Sequence, residues 1–453
     1  MVACTFSGGG TSTAPINLRV YDGDGNELFN DASSLLDSFA WGSAPIVFNN
    51  GTVLAVDDNY IAIFKAGATN NILGKQRLVN AAGKRLGGIP ISPVMVNDHI
   101  VLLATICKAN ETACPVSTWD ISGTPTLLDY AFVTATVKGS TVAFETANTP
   151  TVDQQNSRVY LVMSGVCPPK QGGCAQAGYG RLQALDIDVT GHITISAWHY
   201  GDGDNLASDA ESSPLLIKNN SNQNQIFFDA HDSINSVGYF IGVTDGGGIT
   251  PSAVWQQPFN KSRFVAAAAR DLRSDLQDGS GTFWIFPTDT SITNQNCTTL
   301  TPGDTTTPYF NCLIRLRASD GKIVQGDGKN NQPWVDLTPM VSGDPVNLHY
   351  APSSTINVSK SSSGDVALTL GAFNGFGSRR PVYVTSIDVT PPQGQLLWKV
   401  AIAANPSIDW AAGQFPIAVS PTKTSASGSP VYRTVFSTFN SGPFFIGPNT
   451  PVF

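Results

Sequence analysis

The chain has 453 residues, of which 13% are charged, with 43 Gly, 29 Pro, a net charge of -8 and a pI near 5.1. Charged residues are only about half as frequent as the roughly one quarter of an average globular chain, and this composition is typical of short strands joined by turns. The acidic balance without a Lys/Arg cluster argues against nucleic acid or an anionic membrane as the main partner, and no apolar run reaches the about 18 residues of a membrane span.

Seven segments along the chain read as a strand, a turn and a second strand. Each alternates apolar and polar residues, breaks at a turn and resumes as an apolar run, which is the generic signal of a β-hairpin. In chain order they are LRVYDGDGNELF from Leu18, YIAIFKAG from Tyr60, VSTWDISGTPTLL from Val116, RLQALDIDVTGHITISAW from Arg181, YFIGVTDGGGITPSAVW from Tyr239, LIRLRASDGKIV from Leu313 and VTSIDVTPPQGQLLW from Val384.

A second kind of unit lies between these hairpins: a small residue and Pro, followed by two apolar strands. The copies are SAPIVFNNGTVLAV from Ser43, ISPVMVNDHIVLLAT from Ile91, NTPTVDQQNSRVYLVM from Asn148, SSPLLIKNNSNQNQIFFDA from Ser212, YAPSSTINVSKSSSGDVALTL from Tyr350 and QFPIAVSPTKTSASGSPVYRTVFS from Gln414, while VAAAARDLRSDLQDGSGTFWIF from Val265 lacks the Pro. Each full repeat thus supplies four strands, a period typical of β-propellers.

We therefore predict an all-β fold: a single β-propeller domain over residues 1–453 with seven four-stranded blades. The segments INLRVYDG and GPFFIGPN should pair and close the ring, since closure removes exposed edge strands. Six or eight blades remain possible if the termini do not share a blade. A long β-sandwich, or two unrelated β domains, would also alternate, but neither has a reason to place Ser-Pro before every second hairpin.

Six of the seven cysteines are close in sequence to a partner, which indicates local disulfides rather than zinc ligands, because no CxxC or nearby His occurs. The expected pairs are Cys107–Cys114, Cys167–Cys174 and Cys297–Cys312, and Cys4 is left over. N-glycosylation sequons occur at Asn50, Asn110, Asn219, Asn260, Asn296 and Asn357. Together these features favour a secretory route. We expect Met1 to be an added start residue after removal of a signal peptide.

The innermost strands of a propeller surround its channel, so the segments that lead into them converge at one mouth. The Pro of the second unit marks the start of each innermost strand. Turns alone would select Gly, Asn, Ser and Pro before it. Instead, aromatic and ionisable residues occur there: Trp41, Arg85, Glu145, Asp209, Glu211, Arg263, Phe264, His349, Tyr350, Asp409 and Trp410. Plugs between blades, turn caps and solvated rim charges are the alternative explanations.

The segments IDVTPPQGQLLWKV and LDIDVTGHITISAW are the clearest copies of a pattern that resembles the PQQ-like propeller repeat. Quinoprotein dehydrogenases with that repeat carry a vicinal cysteine pair, and no Cys-Cys occurs here, so we expect neither PQQ nor a metal. The Trp of each motif is expected to pack one blade against the next. With its size and secretory features, the chain resembles the fungal hetero-Diels-Alderases of tropolone-sesquiterpenoid biosynthesis.

That resemblance implies a cofactor-independent pericyclase for small hydrophobic substrates. It would join a tropolone o-quinone methide, formed by loss of water, to an alkene such as humulene and produce a dihydropyran. Proximity and hydrogen-bond donors lower such a barrier. The implied roles are an apolar clamp of Trp41, Phe264 and Trp410, further substrate contacts from Glu145 and Asp409, donors at His349, Tyr350 and Arg263, and general acids at Asp209, Glu211 or His349.

Two other classes of function stay open from the sequence. One is a secreted propeller that binds a ligand or protein without chemistry. The other is a calcium-dependent propeller hydrolase or lactonase, which needs a buried set of Asp, Asn and Glu around its channel. There is no G-x-S-x-G, H-E-x-x-H or P-loop motif to support serine hydrolase, zincin or nucleotide chemistry. Oligomeric state cannot be read from these patterns.

Overall fold

In the computed structural model, the described residues form strands and turns, and none of them lies in a helix. Most of the side chains that the structure describes lie between residues 43 and 324. The described residues are 2–7, 16–21, 27–30, 43–65, 72–108, 110–137, 139–146, 148–166, 179–201, 213–232, 237–260, 262–263, 268–271, 281–285, 288–289, 312–324, 334–336, 348–349, 357–360, 366–374, 382–388, 395–402, 418–424, 430–438, 441–446 and 451–452.

The chain divides into two compact units, and the first comprises residues 1–209 and 247–251. It holds four larger antiparallel sheets, numbered here in chain order, and one two-stranded sheet, which is grouped here with sheet 3. Sheet 1 consists of β1 (Val2–Ser7), β2 (Ile16–Tyr21) and β3 (Glu27–Asn30), and sheet 2 of β4 (Ile46–Val47), β5 (Thr52–Val56), β6 (Tyr60–Lys65) and β7 (Ile72–Arg77). Sheet 3 has β9 (Val94–Met95), β10 (Ile100–Leu103), β12 (Pro115–Asp120) and β13 (Thr126–Phe132), extended by the pair β8 (Ile89–Pro90) and β11 (Thr105–Ile106). Sheet 4 has β14 (Thr134–Val137), β15 (Ser140–Glu145), β16 (Thr151–Asp153), β17 (Arg158–Gly165), β18 (Gly180–Ile187) and β19 (Ile193–Tyr200).

The second unit comprises residues 210–246 and 252–453 and holds four further large antiparallel sheets and one two-stranded sheet, which is grouped here with sheet 6. Sheet 5 consists of β20 (Leu215–Lys218), β21 (Asn224–Asp232), β22 (Val237–Asp245) and β23 (Ala253–Asn260). Sheet 6 has β25 (Ala269–Arg270), β26 (Thr282–Ile285), β28 (Cys312–Arg317) and β29 (Trp334–Asp336), extended by the pair β24 (Ser262–Arg263) and β27 (Thr288–Asp289). Sheet 7 has β30 (Leu348–His349), β31 (Asn357–Lys360), β32 (Val366–Asn374), β33 (Val382–Asp388) and β34 (Gln395–Ile402), and sheet 8 has β35 (Ala418–Thr424), β36 (Pro430–Thr438), β37 (Ser441–Ile446) and β38 (Pro451–Val452).

The strand pairs expected from the sequence repeat are confirmed. All seven second units form antiparallel pairs, from β4–β5 to β35–β36. The hairpin segments from Val116, Arg181, Tyr239 and Val384 form the two outer strands of sheets 3, 4, 5 and 7. The segment from Leu18 instead lies in sheet 1 with β2 at its centre, and the strand that pairs with β28 is β29, not the one expected at residues 321–324. Pro45, Pro93, Pro150 and Pro214 each stand directly before the first strand of their unit. Proline suits this place because it has no N–H to give to a ladder. In unit 2 the edge strands β20, β25, β31 and β35 adjoin in that order, which is a propeller-like arrangement.

The predicted pairing of INLRVYDG with GPFFIGPN is wrong. Strand β2 is flanked by β1 and β3, and β37 is flanked by β36 and β38, so neither has a free edge for the other. The competing partner of β2 is the strand around Cys4, which pairs with Arg19 at a short sequence distance. Short loops cost less closure entropy, which favours the local hairpin.

Within each unit, hydrophobic clusters lie between consecutive sheets: sheets 2 and 3, and 3 and 4, in unit 1, and sheets 5 and 6 in unit 2. In unit 1, Leu54, Ile61, Val101 and Trp119 from sheets 2 and 3 form one cluster and are at most 1% exposed. The run Ile100–Leu103 is buried at all four positions. A continuous apolar run of this length is what a strand covered on both faces requires.

The Trp residue at the end of one hairpin packs against the turn of the next sheet, as the sequence predicts. In unit 2, Trp255 on β23 donates its indole N–H to the carbonyl oxygen of Ala318, at 3.0 Å, in the turn after β28. Gly321 of that turn faces the indole ring. The turn itself is held by Asp320, whose Oδ1 accepts the N–H of Lys322 at 3.1 Å. The Asp and Gly of the repeat thus shape a turn that receives the Trp.

Substituting Gly321 with Ala should therefore lower the free energy of unfolding of the protein. Gly321 has φ +70°, and an added Cβ would overlap the Trp255 ring. Left-handed backbone strain and overpacking together should cost about 2–4 kcal/mol. Gly281→Ala is the matched control, because Gly281 has φ +73° but open space around it. Urea denaturation should show the larger loss for Gly321→Ala; equal losses would mean that the indole contact contributes nothing.

Candidate functional site

In four sheets the inner strand consists of two separate pieces. The piece that comes first in the chain is called here the upper piece, and the second the lower piece. Both pair with the same neighbouring strand or with its extension. In sheet 4 the upper piece is β15 and the lower piece is β16, and both pair with β17. Sheet 7 has the same arrangement with β30, β31 and β32. In sheets 3 and 6 the upper pieces are β8 and β24, which pair with the short extension strands β11 and β27.

Three residues predicted for the site end the upper piece of their sheet at the same register step: Glu145, Arg263 and His349. Each of these residues has a partner on the neighbouring strand, and so has the first residue of the lower piece. In all three sheets these two partners are four residues apart. The partners are Ser164 and Tyr160 in sheet 4, Thr288 and Trp284 in sheet 6, and Phe373 and Thr369 in sheet 7. The repeat therefore presents a carboxyl, a guanidinium and an imidazole residue at equivalent positions of three different sheets.

Of these three residues, Glu145 is the one whose side chain the structure describes. It is half-buried at the end of β15, and its Oε2 accepts a hydrogen bond from the backbone N–H of Cys107 at 2.5 Å. Cys107 follows β11 of sheet 3, so the contact joins the upper ends of two neighbouring sheets of unit 1. Thr146, the next residue, adds a backbone hydrogen bond to the carbonyl oxygen of Thr105 at 3.5 Å.

A second carboxylate, Glu111, lies close to Glu145 and was not foreseen from the sequence. Its Oε2 accepts the backbone N–H of Gly88 at 2.8 Å and that of Lys108 at 2.9 Å. Gly88 has φ +72° and leaves no room for a Cβ beside Thr105, which explains Gly at this place. A Glu inside a short polar loop carries no periodic signal, so only the Cys spacing around it could have drawn attention to it.

The two carboxyl groups give Glu145 an unusual protonation equilibrium. Burial raises the pKa of the Glu145 carboxyl above its ordinary value of 4.5, the hydrogen bond from Cys107 lowers it in part, and the negative charge of Glu111 raises it further. Desolvation and a like charge both disfavour the ionised form. A carboxyl group that keeps its proton closer to neutral pH is suited to general acid catalysis.

The predicted disulfide Cys107–Cys114 is present, and it encloses Glu111. Cys107, Glu111 and Cys114 are also the one group in the described part of the chain whose ligand atoms lie within 4.8 Å of one another, as a metal site requires. The two Sγ atoms are bonded to each other and so are not thiolates, the form that binds a metal. We therefore assign this group a structural role.

The turn that follows Glu145 contains a buried polar group. Asn148 is 3% exposed, its backbone N–H donates to Thr146 Oγ1 at 3.1 Å, and its Oδ1 has no hydrogen-bond partner among the described residues. Buried carbonyl oxygens are normally hydrogen-bonded. This oxygen is therefore an acceptor that a bound molecule or a water could satisfy.

The remaining predicted residues are only partly placed. Arg85 is exposed, and its Nη2 donates to the carbonyl oxygen of Asp58 at 2.8 Å. Arg263 and His349 are placed as backbone only. Outside the described residues lie Trp41, Asp209, Glu211, Phe264, Tyr350, Asp409, Trp410, Cys167, Cys174, Cys297 and Asn296, and the side chain of Cys312 is not described.

The sequons differ in accessibility. Asn50 and Asn110 are exposed, and Asn110 lies within the disulfide loop. Asn219 is half-buried and donates Nδ2 to Gln223 Oε1 at 3.1 Å. Asn260 and Asn357 are placed in β23 and β31 as backbone. Asn50 and Asn110 are thus the better candidates for glycosylation.

The raised pKa of Glu145 predicts a specific pH dependence of stability. Because the pKa in the folded protein exceeds that in the unfolded chain, the folded state binds more protons between the two values. The contribution of Glu145 to stability is therefore complete below about 4.5 and is lost as pH rises through the folded pKa. Thermal unfolding of the wild type and Glu145→Gln from pH 4 to 8 should show the variant gaining relative stability as pH rises. A difference that is constant, or that shrinks, would contradict this assignment.

Comparison with known proteins identifies no family. No protein-family model matches the sequence, and no curated protein matches it. A solved protein from Lactobacillus plantarum is similar with a TM-score of 0.43 and 11% identity, over 88% of this chain and 95% of that one. A post-proline cleaving enzyme from Rickettsia typhi has a TM-score of 0.42 and 8% identity over 97% of this chain, which spans 56% of the enzyme. An endo-arabinase from Bacteroides thetaiotaomicron has a TM-score of 0.26 and 10% identity, over 80% and 93% of the two chains.

Similarities of this size assign neither a family nor an activity. What the described residues establish is an all-β fold of antiparallel sheets, with a propeller-like succession of edge strands in unit 2. That part of the chain contains no helix that is long and apolar enough to cross a membrane.

Proposed function

We propose that the protein is a secreted hetero-Diels-Alderase of seven PQQ-like blades that joins a tropolone o-quinone methide to an alkene of a humulene-type terpene. The observation that carries the proposal is Glu145, a half-buried carboxyl with a raised pKa at the end of an inner strand. The first step of this chemistry, loss of water from a hydroxymethyl tropolone, needs such an acid. The sequence repeat and the resemblance in size and cysteine pattern supply the rest of the support.

In the proposed dehydration, the carboxyl group of Glu145 gives its proton to the leaving hydroxyl, the carbon–oxygen bond breaks, and water leaves. The tropolone hydroxyl then loses its proton to the Glu145 carboxylate, which restores the acid and gives a neutral o-quinone methide. Asn148 Oδ1, an acceptor without a partner among the described residues, is available to a hydroxyl or to the departing water. Positioned general acids contribute about 10²–10⁴-fold to a rate.

In the proposed cycloaddition, the quinone methide and an alkene of humulene form one carbon–carbon and one carbon–oxygen bond and close a dihydropyran. No electrons enter or leave, so this step needs no redox cofactor. Orientation of two apolar partners can contribute up to about 7–11 kcal/mol. A hydrogen-bond donor on the diene carbonyl stabilises the charge that builds there. Arg263 and His349 stay our predicted donors, and Trp41, Phe264 and Trp410 our predicted apolar clamp.

The experiment is to mix the purified protein with a hydroxymethyl tropolone and humulene and to follow the adduct by chiral liquid chromatography and mass spectrometry. We expect adduct formation to be faster than in buffer and to give one stereoisomer. Boiled protein is the control for general acid and surface effects. No acceleration, or the product mixture found in buffer, would overturn the proposal, and saturable binding without turnover would indicate a binding propeller instead.

A further inference from the structure

We propose that Glu111 is a positioning residue for Glu145, and that the Cys107–Cys114 disulfide acts as a clasp that holds the two carboxyl groups together. This inference rests on the proposed role of Glu145 as the acid. It adds to that site Glu111, which the sequence patterns did not identify, and gives a role to the Cys107–Cys114 disulfide, which they predicted.

The first step of the argument is the shared anchor of the two carboxyl groups. Two consecutive backbone amides bind them: the N–H of Cys107 donates to Glu145, at 2.5 Å, and the N–H of Lys108 donates to Glu111, at 2.9 Å. Because these two amide nitrogens are separated only by Cα and C of Cys107, they bring the two carboxyl groups to neighbouring positions. A negative charge near a carboxyl group disfavours its ionised form, and Glu111 acts in this way on Glu145.

The second step concerns how each carboxyl group is held. Glu111 accepts two backbone N–H bonds, from Gly88 and Lys108, and Glu145 accepts one from Cys107. Glu111 is therefore fixed beside the loop that carries the Cys107 amide, and its negative charge raises the pKa of the Glu145 carboxyl beyond the effect of burial.

The third step is the role of the disulfide. Residues 107 to 114 form a short loop closed by the Cys107–Cys114 bond, and Glu111 Oε2 lies 3.7 Å from Cys114 Sγ. Without the bond, the loop would lose its fixed ends and the amides at its start would no longer be held against Glu111. Closure of a loop by a disulfide restricts the conformations that compete with the bound one.

The described cationic groups near the loop form ion pairs with Asp58. The ammonium group of Lys108 binds Asp58 Oδ2 at 2.7 Å, and Arg85 Nη2 lies 3.8 Å from the same oxygen. Among the charged groups that the structure describes, Glu111 is the one that contributes to the shifted pKa of Glu145. Glu111 is therefore the residue to change in a test of the raised pKa of Glu145.

The test reads the titration of Glu145 directly, with 13C-carboxyl-labelled Glu and NMR, in wild type and Glu111→Gln. The Gln side chain keeps an oxygen for the amides of Gly88 and Lys108 and removes the charge. We expect the midpoint of Glu145 to move down towards its ordinary value, and the pH above which adduct formation declines to move down with it. An unchanged or higher midpoint would overturn the proposal.

Two further variants keep the outcome interpretable. Asp186→Asn is the control. Asp186 pairs with Arg158 on β17, which is six residues, or about 20 Å, from Ser164, the partner of Glu145 on the same strand. This substitution should leave the titration midpoint of Glu145 unchanged. The double variant Cys107→Ser/Cys114→Ser should lower the midpoint as Glu111→Gln does. If the titration midpoint of Glu145 shifts as expected but the protein has no cycloaddition activity, the proposed function is refuted, whereas the proposed role of Glu111 and the disulfide is not.

Discussion

Glu145→Gln should lower kcat for adduct formation from a hydroxymethyl tropolone by at least about 100-fold, because general acid catalysis contributes roughly 10²–10⁴-fold. The amide has nearly the shape of the protonated carboxyl and can keep the hydrogen bond from Cys107, but it has no proton to give. Substrate binding should change little, so the loss should appear in kcat rather than in KM. Steady-state kinetics at the pH optimum provide the measurement.

Asp186→Asn is again the matched control, because it removes a half-exposed carboxylate from the same sheet, where it pairs with Arg158. Its kcat should stay within about twofold, since partly exposed ion pairs contribute little. Glu145→Gln should also unfold at the same temperature as the wild type or above it at neutral pH, where burial penalises the ionised carboxylate. A wild-type kcat in Glu145→Gln would remove Glu145 from the mechanism.

Arg315→Met should lower the free energy of unfolding by about 3–5 kcal/mol, because it leaves a buried carboxylate without its cation. Arg315 and Asp271 lie in sheet 6 of unit 2 with side chains that are 2% and 0% exposed, and Nη1 and Oδ2 are 3.1 Å apart. The hydroxyl of Thr282 donates to the same carboxylate oxygen at 3.1 Å. Guanidinium chloride denaturation should show an earlier midpoint with an unchanged slope.

The control for this effect is Arg317→Met on the same strand. Arg317 lies 3.5 Å from Asp320, with both side chains about one third exposed, and should cost less than about 1 kcal/mol. Asp271→Leu/Arg315→Met should recover much of the loss, since replacing both charges removes the desolvation penalty as well. Equal losses in the free energy of unfolding for Arg315→Met and Arg317→Met would mean that the buried ion pair contributes no more to stability than the exposed one.

The strand pattern of this protein could be predicted from the sequence because its signals are local. Alternation, Asp–Gly turns and a Pro before most inner strands are each set by a few neighbouring residues, and the pairs β4–β5 to β35–β36 follow them. Partner choice at the termini could not be predicted in this way. The strand around Cys4 was not among the predicted segments, yet it pairs with the edge of β2 at which the C-terminal segment was expected.

The candidate site was predictable only in part. Glu145 was selected because it stands just before a Pro that starts an inner strand, and its register position matches those of Arg263 and His349. Glu111 was missed because its function depends on contacts with Gly88 and Lys108 across two loops, and no spacing rule encodes such contacts. Burial, which raises the pKa of Glu145, likewise depends on tertiary packing rather than on residue order.

The most direct test of the account compares two tropolone precursors in wild type and Glu145→Gln. One precursor carries the hydroxyl leaving group, which needs a proton, and the other carries a carboxylate ester, whose leaving group departs without one. We expect Glu145→Gln to lose about 100-fold or more with the hydroxyl and less than about threefold with the ester. Equal losses with both precursors would show that Glu145 does not act as the acid and would contradict the proposed mechanism.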